Sequence, residues 1–189
     1  MLFIYRFITF FFYPFLIILI YLRKLLNKED KKRFKEKIFS SCFSPQKNLK
    51  KKLIWFHAAS IGEVQSIIPI IEKLIDDKKN LEILITTVTL SANNIIQKRL
   101  FKYTNIKHRY FPLDINFLVK KFLDGWKPEK IIFVDSEIWP NLIIEINKRK
   151  IPVTLINGRI TGKTFNRWML IPKFAKKIFN KFDLCLASS

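Results

Sequence analysis

From Leu53 onward, six short apolar runs of strand character alternate with five longer segments whose apolar residues recur at helical spacing. The strand-like runs are Leu53–Phe56, Leu81–Thr87, His108–Phe111, Ile131–Val134, Val153–Ile156 and Leu184–Leu186. Between them lie Val64–Ile75, Ser91–Leu100, Ile115–Leu123, Pro140–Lys148 and Asn166–Phe179. Few folds accept that rhythm. Strands separated by single helices join most simply as parallel neighbours, each helix crossing one face of the sheet. The pattern therefore predicts an α/β domain over residues 51–189, a Rossmann-like parallel sheet with helices on both faces. Pro140 suits the first turn of its helix, where a missing N–H costs no intrahelical bond.

In such sheets reactive groups collect at the carboxyl ends of the strands, facing helix N-termini. Four polar clusters fall there. The first holds His57, Ser60, Gly62 and Glu63 within seven residues. Glu63 has two readings that do not exclude each other. It can be a general base held at a helix start, or the partner of Ser60 in a capping box, reaching back to the Ser60 backbone N–H. His57 is either a cleft residue or a buried, hydrogen-bonded histidine. The second cluster is Thr86, Thr87 and Thr89. The third is Asp135, Ser136 and Glu137, of whose two acids one is expected to face the cleft; the plainer role for both is to complement a helix dipole. The fourth, Asn157 to Thr164, combines two glycines with Arg159, Lys163 and hydroxyls and suits an anion, although it lacks the order of a phosphate-binding P-loop. Together these clusters predict one crevice.

Ahead of the domain, Met1 to Leu22 carries a single charge, Arg6. That length is at the short end of the roughly 17–25 residues that cross a bilayer. No small-residue cleavage site follows it, so residues 1–22 are expected to form an uncleaved membrane anchor rather than a signal peptide. Pro14 would kink a spanning helix and leaves a re-entrant or interfacial segment as the alternative. Residues 23–50 read as a basic, helical connector that ends in a polar stretch around Pro45. The chain carries 35 Lys and Arg against 15 Asp and Glu, a formal net charge of +20. Basic residues flanking an apolar segment stay cytoplasmic and attract anionic head groups, so an anionic membrane surface is the expected partner. Nucleic acid is not, because neither zinc-ligand spacing nor an RNA-binding signature accompanies the charge. A compositional bias towards Lys, Ile, Asn and Phe would raise the charge with no function attached. Cys42 and Cys185 have no disulfide framework around them and read as reduced thiols. No internal repeat is visible. The chain stops at Ser189 directly after a strand-like run, as a cut sequence would.

The ordered set His57-Ala-Ala-Ser-Ile-Gly-Glu63, Thr86-Thr-x-Thr89, Glu137-Ile-Trp-Pro-Asn-Leu142 and Asn157-Gly-Arg159 resembles the 3-deoxy-D-manno-octulosonic acid (Kdo) transferases of lipopolysaccharide synthesis. The resemblance covers the whole chain and corresponds to the family's N-terminal half. It implies half of a GT-B glycosyltransferase, with two Rossmann-like domains facing a cleft. This half would bind the lipid A precursor, lipid IVA, and a C-terminal half absent here would bind CMP-Kdo. Glu63 matches the family's general base for an inverting transfer, and no metal or cofactor is implied. His57, Ser60, Gly62, Thr86, Thr87, Glu137, Asn157 and Arg159 fall to the acceptor side or the cleft. Asp135 stands where the family usually has Glu and where a transition-state stabiliser is expected. Upstream, Glu36-Lys37-Ile38-Phe39 replaces the family's Glu-Arg-x-Gly, and Ala92 stands where a Gly is usual. The implied location is the cytoplasmic face of the inner membrane. On this reading the isolated chain binds acceptor without turning over donor. The competing readings are another lipid-linked GT-B glycosyltransferase and a membrane-tethered binding module, or relic, with no catalysis.

Overall fold

The computed structural model describes residues 1–43, 51–77, 80–135 and 137–188; the expected polar stretch around Pro45, with Ser136 and Ser189, lies outside them. Two helices, α1 (Leu2–Phe11) and α2 (Tyr13–Leu25), lead into two 3-10 turns, Phe34–Lys37 and Ser40–Phe43. Then strands and helices alternate: β1 (Lys52–His57), α3 (Ile61–Asp77), β2 (Leu81–Thr87), α4 (Leu90–Leu100), β3 (Ile106–Tyr110), α5 (Asn116–Trp126), β4 (Lys130–Val134), α6 (Pro140–Lys148), β5 (Val153–Gly158), α7 (Gly162–Met169), α8 (Pro172–Phe179) and β6 (Leu184–Ala187). All strand pairs are parallel, in the order β3-β2-β1-β4-β5-β6.

The four central strands, β2, β1, β4 and β5, are largely buried on both faces, which is why they read as nearly unbroken apolar runs. Successive side chains point to opposite faces. Thus β1 sends Leu53 and Trp55 under α5 and α6, while Ile54 and Phe56 pack beneath α3 and α4. β4 repeats this with Ile131 and Phe133 against Ile132 and Val134. Phe122, Leu142 and Ile146 close the first layer; Ile67, Ile71 and Ile96 close the second. Each such aliphatic or aromatic side chain contributes about 1.5–3 kcal/mol when fully buried.

Three expectations are corrected. The helix expected over Asn166–Phe179 is two helices, because Pro172 offers no N–H and forces Ile171 out of helical geometry, to φ −133° and ψ 56°. The anchor expected as one span over residues 1–22 is also two helices, α1 and α2, bent by 51°. Pro14, in the first turn of α2, cannot donate to the carbonyl one turn back, so the axis breaks at Phe12. At 1.5 Å per residue the two helices are about 15 and about 20 Å long, each short of a hydrocarbon core of about 30 Å. No single helix among the described residues is long and apolar enough to cross a membrane. The pair is instead docked on the domain. Arg6 Nη2 donates to Glu145 Oε1 at 2.8 Å, Tyr5 Oη to Asp114 Oδ2 at 2.8 Å, and Tyr13 Oη to the Ile38 carbonyl.

The connector, thirdly, is not one helix: α2 ends at Leu25, and beyond it the described part holds only the two short 3-10 turns. Asp30 Oδ1 accepts from the backbone N–H of Lys32 and Arg33, at 2.9 and 2.8 Å, and turns the chain there. The segment then straps the loops at one end of the sheet. Glu36 accepts from the Tyr110 N–H at 3.0 Å, Lys37 Nζ donates to the Val88 carbonyl at 2.7 Å and pairs with buried Glu29.

Candidate active site

The strand order reverses between β1 and β4, the switch point where open α/β sheets place their ligands. His57 ends β1 there, fully buried, its ring stacked on Phe111 at a centroid distance of 4.0 Å. Its Nδ1 lies 2.9 Å from Thr86 Oγ1, which also accepts from Trp55 Nε1 at 2.8 Å. An indole N–H can only donate, so the Thr86 hydroxyl proton is free to be given to His57 Nδ1. That assignment puts the imidazole proton on Nε2, which faces Glu137 Oε2 at 3.5 Å. The same carboxylate oxygen accepts from Trp139 Nε1 at 2.8 Å. Burial pushes the Glu137 carboxyl up, but its contact with His57 and the Trp139 bond outweigh it and hold Glu137 below the usual range. One chain of contacts therefore runs Trp55, Thr86, His57, Glu137, Trp139.

Asp135 and Glu137 diverge, and the reason is backbone geometry. Side chains two apart on a regular strand share a face. β4 ends at Val134, and Asp135 takes a left-handed φ of 59° that turns the chain out of the strand direction. Asp135 Oδ2 then lies 3.2 Å from Arg159 Nη2, across to the end of β5. Asn157 is exposed, has a φ of 54° and sits at the irregularity where β5 meets β6. Left-handed residues other than glycine cost free energy, of order 1–3 kcal/mol, and concentrate where a site needs them. Two of the five in the described chain mark this edge.

Glu63 is half-buried at the first turn of α3. Both oxygens are engaged: Oε1 accepts from Ser60 Oγ at 2.6 Å and Oε2 from the Ala59 N–H at 2.8 Å. This is the capping box with one correction, since the backbone donor belongs to Ala59 rather than Ser60. Gly62 is exposed, and a Cβ there would meet nothing within 4 Å, so the surface beside Glu63 is open.

Some expected residues go elsewhere. Thr87 is buried and its Oγ1 lies 2.9 Å from His108 Nε2, away from the His57 chain. Thr89 caps α4 through the Ala92 N–H. Thr161 does the same for α7 through Thr164, so the Asn157–Thr164 loop spends that hydroxyl on its own helix. Nor do the acids before α6 complement its dipole at the N–H groups. Asp114 does so from the loop after β3: its oxygens accept from the N–H of Asn141 and Leu142 at 3.0 and 2.9 Å. Nothing in the sequence near Asp114 announces that partner. Among the described residues no cluster of three His, Cys, Asp or Glu is placed to hold a metal ion.

The profile of a family described as 3-deoxy-D-manno-octulosonic-acid transferase matches residues 31–189. A 3-deoxy-D-manno-octulosonic acid transferase of Rickettsia bellii is 31% identical over 186 residues, 98% of this chain and 43% of the relative. An Arabidopsis thaliana protein named "Probable 3-deoxy-D-manno-octulosonic acid transferase, mitochondrial" is 40% identical over 135 residues, 70% of this chain and 30% of the relative. The chain thus spans less than half the length of these relatives. A solved structure from Listeria monocytogenes, described as a UDP-N-acetylglucosamine 2-epimerase, aligns with a TM-score of 0.50 and 10% identity over 72% of this chain and 38% of its own; that likeness concerns the fold alone.

Proposed function

The chain belongs to the Kdo transferase family, as its N-terminal part, and we propose that it is the acceptor-binding half of an enzyme that transfers Kdo from CMP-Kdo to lipid IVA. The observation that carries this reading is the placement of Glu63: a half-buried carboxylate at a helix start, beside an open surface, at the carboxyl edge of the sheet.

In this reading Glu63 exchanges the Ser60 hydroxyl for the acceptor sugar's hydroxyl and takes its proton. The acceptor oxygen attacks the anomeric carbon of Kdo, the bond to CMP breaks, and the centre inverts. Positive charge builds on the ring as CMP leaves, so fixed negative charge stabilises that state. Glu137, kept ionised by its contacts with His57 and Trp139, supplies it, with Asp135 beside it. Arg159 holds Asp135 in place. His57 and Thr86 position rather than react, being buried behind Glu137. No cofactor takes part. CMP-Kdo would be held by the family's C-terminal half, outside this chain.

The bent helix pair supports a place on the cytoplasmic face of the inner membrane, lying at the interface rather than crossing. Phe3, Phe7, Phe11 and Phe15 are exposed on it, Arg23 and Lys24 lie in its last turn, and Lys28 follows.

Because the cap occupies both Glu63 oxygens, a purely structural role is the rival to be tested. In the complete enzyme, Glu63→Gln keeps a carbonyl oxygen for the Ala59 N–H but removes the base, so kcat falls at least about 100-fold with the melting temperature nearly unchanged. Ser60→Ala weakens the cap alone and costs mainly stability, about 1 kcal/mol. Near-normal turnover by Glu63→Gln would leave Glu63 as a cap only.

A further inference from the structure

β3 is an edge strand, and a cavity of about 640 Å³ opens along it, between the last turns of α4, the end of α5 and Arg33. It runs beside Ile106–Arg109, whereas the candidate active site lies beyond the carboxyl ends of β1 and β4. Three cations line it, Arg33, Lys107 and Arg109, and no carboxylate does. Lys107 and Arg109 are two apart and share a face of the strand, with the Arg109 guanidinium 5.7 Å from the Trp126 ring centre. His108 points the other way, towards α4, where Ile96, Leu100 and Tyr103 give the cavity a less polar wall.

Two buried nitrogens here have no hydrogen-bond partner: Arg109 Nε and His108 Nδ1. Buried donors are rarely left so, and each one calls for an explanation. His108 Nε2 faces the Thr87 hydroxyl at 2.9 Å. Burial, with Arg33 and Arg109 nearby, holds the imidazole well below its usual range, so the ring is neutral. If Thr87 donates to Nε2, the proton sits on Nδ1, and the cavity holds a second N–H in need of an acceptor. Glu36 engages Arg33 at 2.8 and 3.0 Å and also touches Arg109 Nη1 at 3.4 Å, whereas Lys107 has no ion-pair partner among the described residues. A cationic lobe, a less polar lobe and donors in both suit a ligand with an anionic head and a hydroxylated body.

We propose that this groove along the free edge of β3 is a second binding site, separate from the transferase crevice, for a small phosphate monoester such as a sugar or glycerol phosphate, free or presented as a lipid headgroup. The phosphate sits on Lys107 and Arg109 and the body turns towards His108. Guanidinium and ammonium groups are the side chains that pair with phosphate oxygens, and a desolvated N–H to a charged acceptor makes a strong hydrogen bond.

The chain has two histidines, one at each site, so their ring resonances report separately. The full chain, labelled with 15N-histidine and kept in a nonionic detergent, is titrated with inorganic phosphate and with glycerol 3-phosphate. Sodium chloride at matched ionic strength serves as the control. The proposal expects a saturable shift of the His108 ring nitrogens with millimolar or tighter affinity, His57 unmoved, and binding weakened at least fivefold by Lys107→Gln at unchanged melting temperature. Arg109→Gln is the second variant, expected to weaken binding further. Vesicles of phosphatidic acid, whose headgroup is a phosphate monoester, set against phosphatidylcholine separate the sources: a His108 response to the anionic vesicles alone assigns the site to a headgroup. No His108 response to any of these probes, or one reproduced by sodium chloride or unaffected by both variants, overturns the proposal. A shift at His57 alone overturns it too and leaves the transferase reading standing.

Discussion

Asp114 holds a carboxylate where the fold removes most of its water. Burial raises its pKa from 3.8 to about 6, and the N–H donors of Asn141 and Leu142, the Tyr5 hydroxyl and Arg6 oppose that rise without cancelling it. The sign comes from proton counting. Between about pH 4 and 6 the folded state binds more protons at this site than the unfolded state, so stability falls as pH rises through that window. A shift of about two units corresponds to about 3 kcal/mol, lost in full above pH 6 and regained below 4. Carbon NMR of the Asp114 carboxyl should show a midpoint near 6; a midpoint near 4 would refute the assignment. Glu137 is the opposite case. Trp139→Phe removes one of its donors, and its carboxyl should titrate higher, measured the same way. These two acids also mark what a sequence shows at this scale. Glu63 and Ser60 are three residues apart, so their bond is readable from spacing. Asp114 and Asn141 are 27 residues apart and meet only once β3 and β4 have their places on either side of β1 and β2.

The elements are readable wherever burial dictates them. Strands covered on both faces must be largely apolar, so the four central strands, β2, β1, β4 and β5, stand out in the sequence, β2 at its observed limits, Leu81–Thr87. The N-terminal segment misleads because apolarity there reports exposure to something other than the core: α1 has no buried residue. Its local chemistry is decided by Arg6, Tyr5 and Tyr13, three polar tips that find partners on the domain. Arg6→Ala tests that docking. Glu145 keeps Lys148 and Arg149 at 3.0 Å each, so it is not left as a lone buried charge, and the expected cost is about 1 kcal/mol rather than the several that an orphaned buried acid would bring. Hydrogen exchange should show the amides of α1 opening faster while those of β1 and β4 stay protected. Equal protection of α1 in both proteins would mean that Arg6 does not hold it.

At the scale of the whole molecule, two independent forces act in one direction. On the proposed membrane placement, the net charge of +20 would draw the chain to anionic lipid through interactions that salt screens, each basic residue near the surface contributing about 1 kcal/mol. The exposed phenylalanines of α1 and α2 add an apolar term that salt does not weaken. Vesicle binding should therefore split in two: raising sodium chloride from about 0.1 to about 0.5 M removes most of the preference for anionic over zwitterionic vesicles, while a residual, salt-resistant binding survives. Phe11→Ser with Phe15→Ser should remove that residue of binding and leave the salt-sensitive part. Orientation is set by the docking. A helix that crossed the bilayer would have to pull Arg6 from Glu145 and Tyr5 from Asp114, and would carry the N-terminus to the far side. With those bonds kept, the proposed membrane placement would have α1 lie along the interface beside the domain. An N-terminal tag on the vesicle-bound chain should then remain open to protease added on the domain's side, and protection of that tag, with the domain still cleaved, would establish a span.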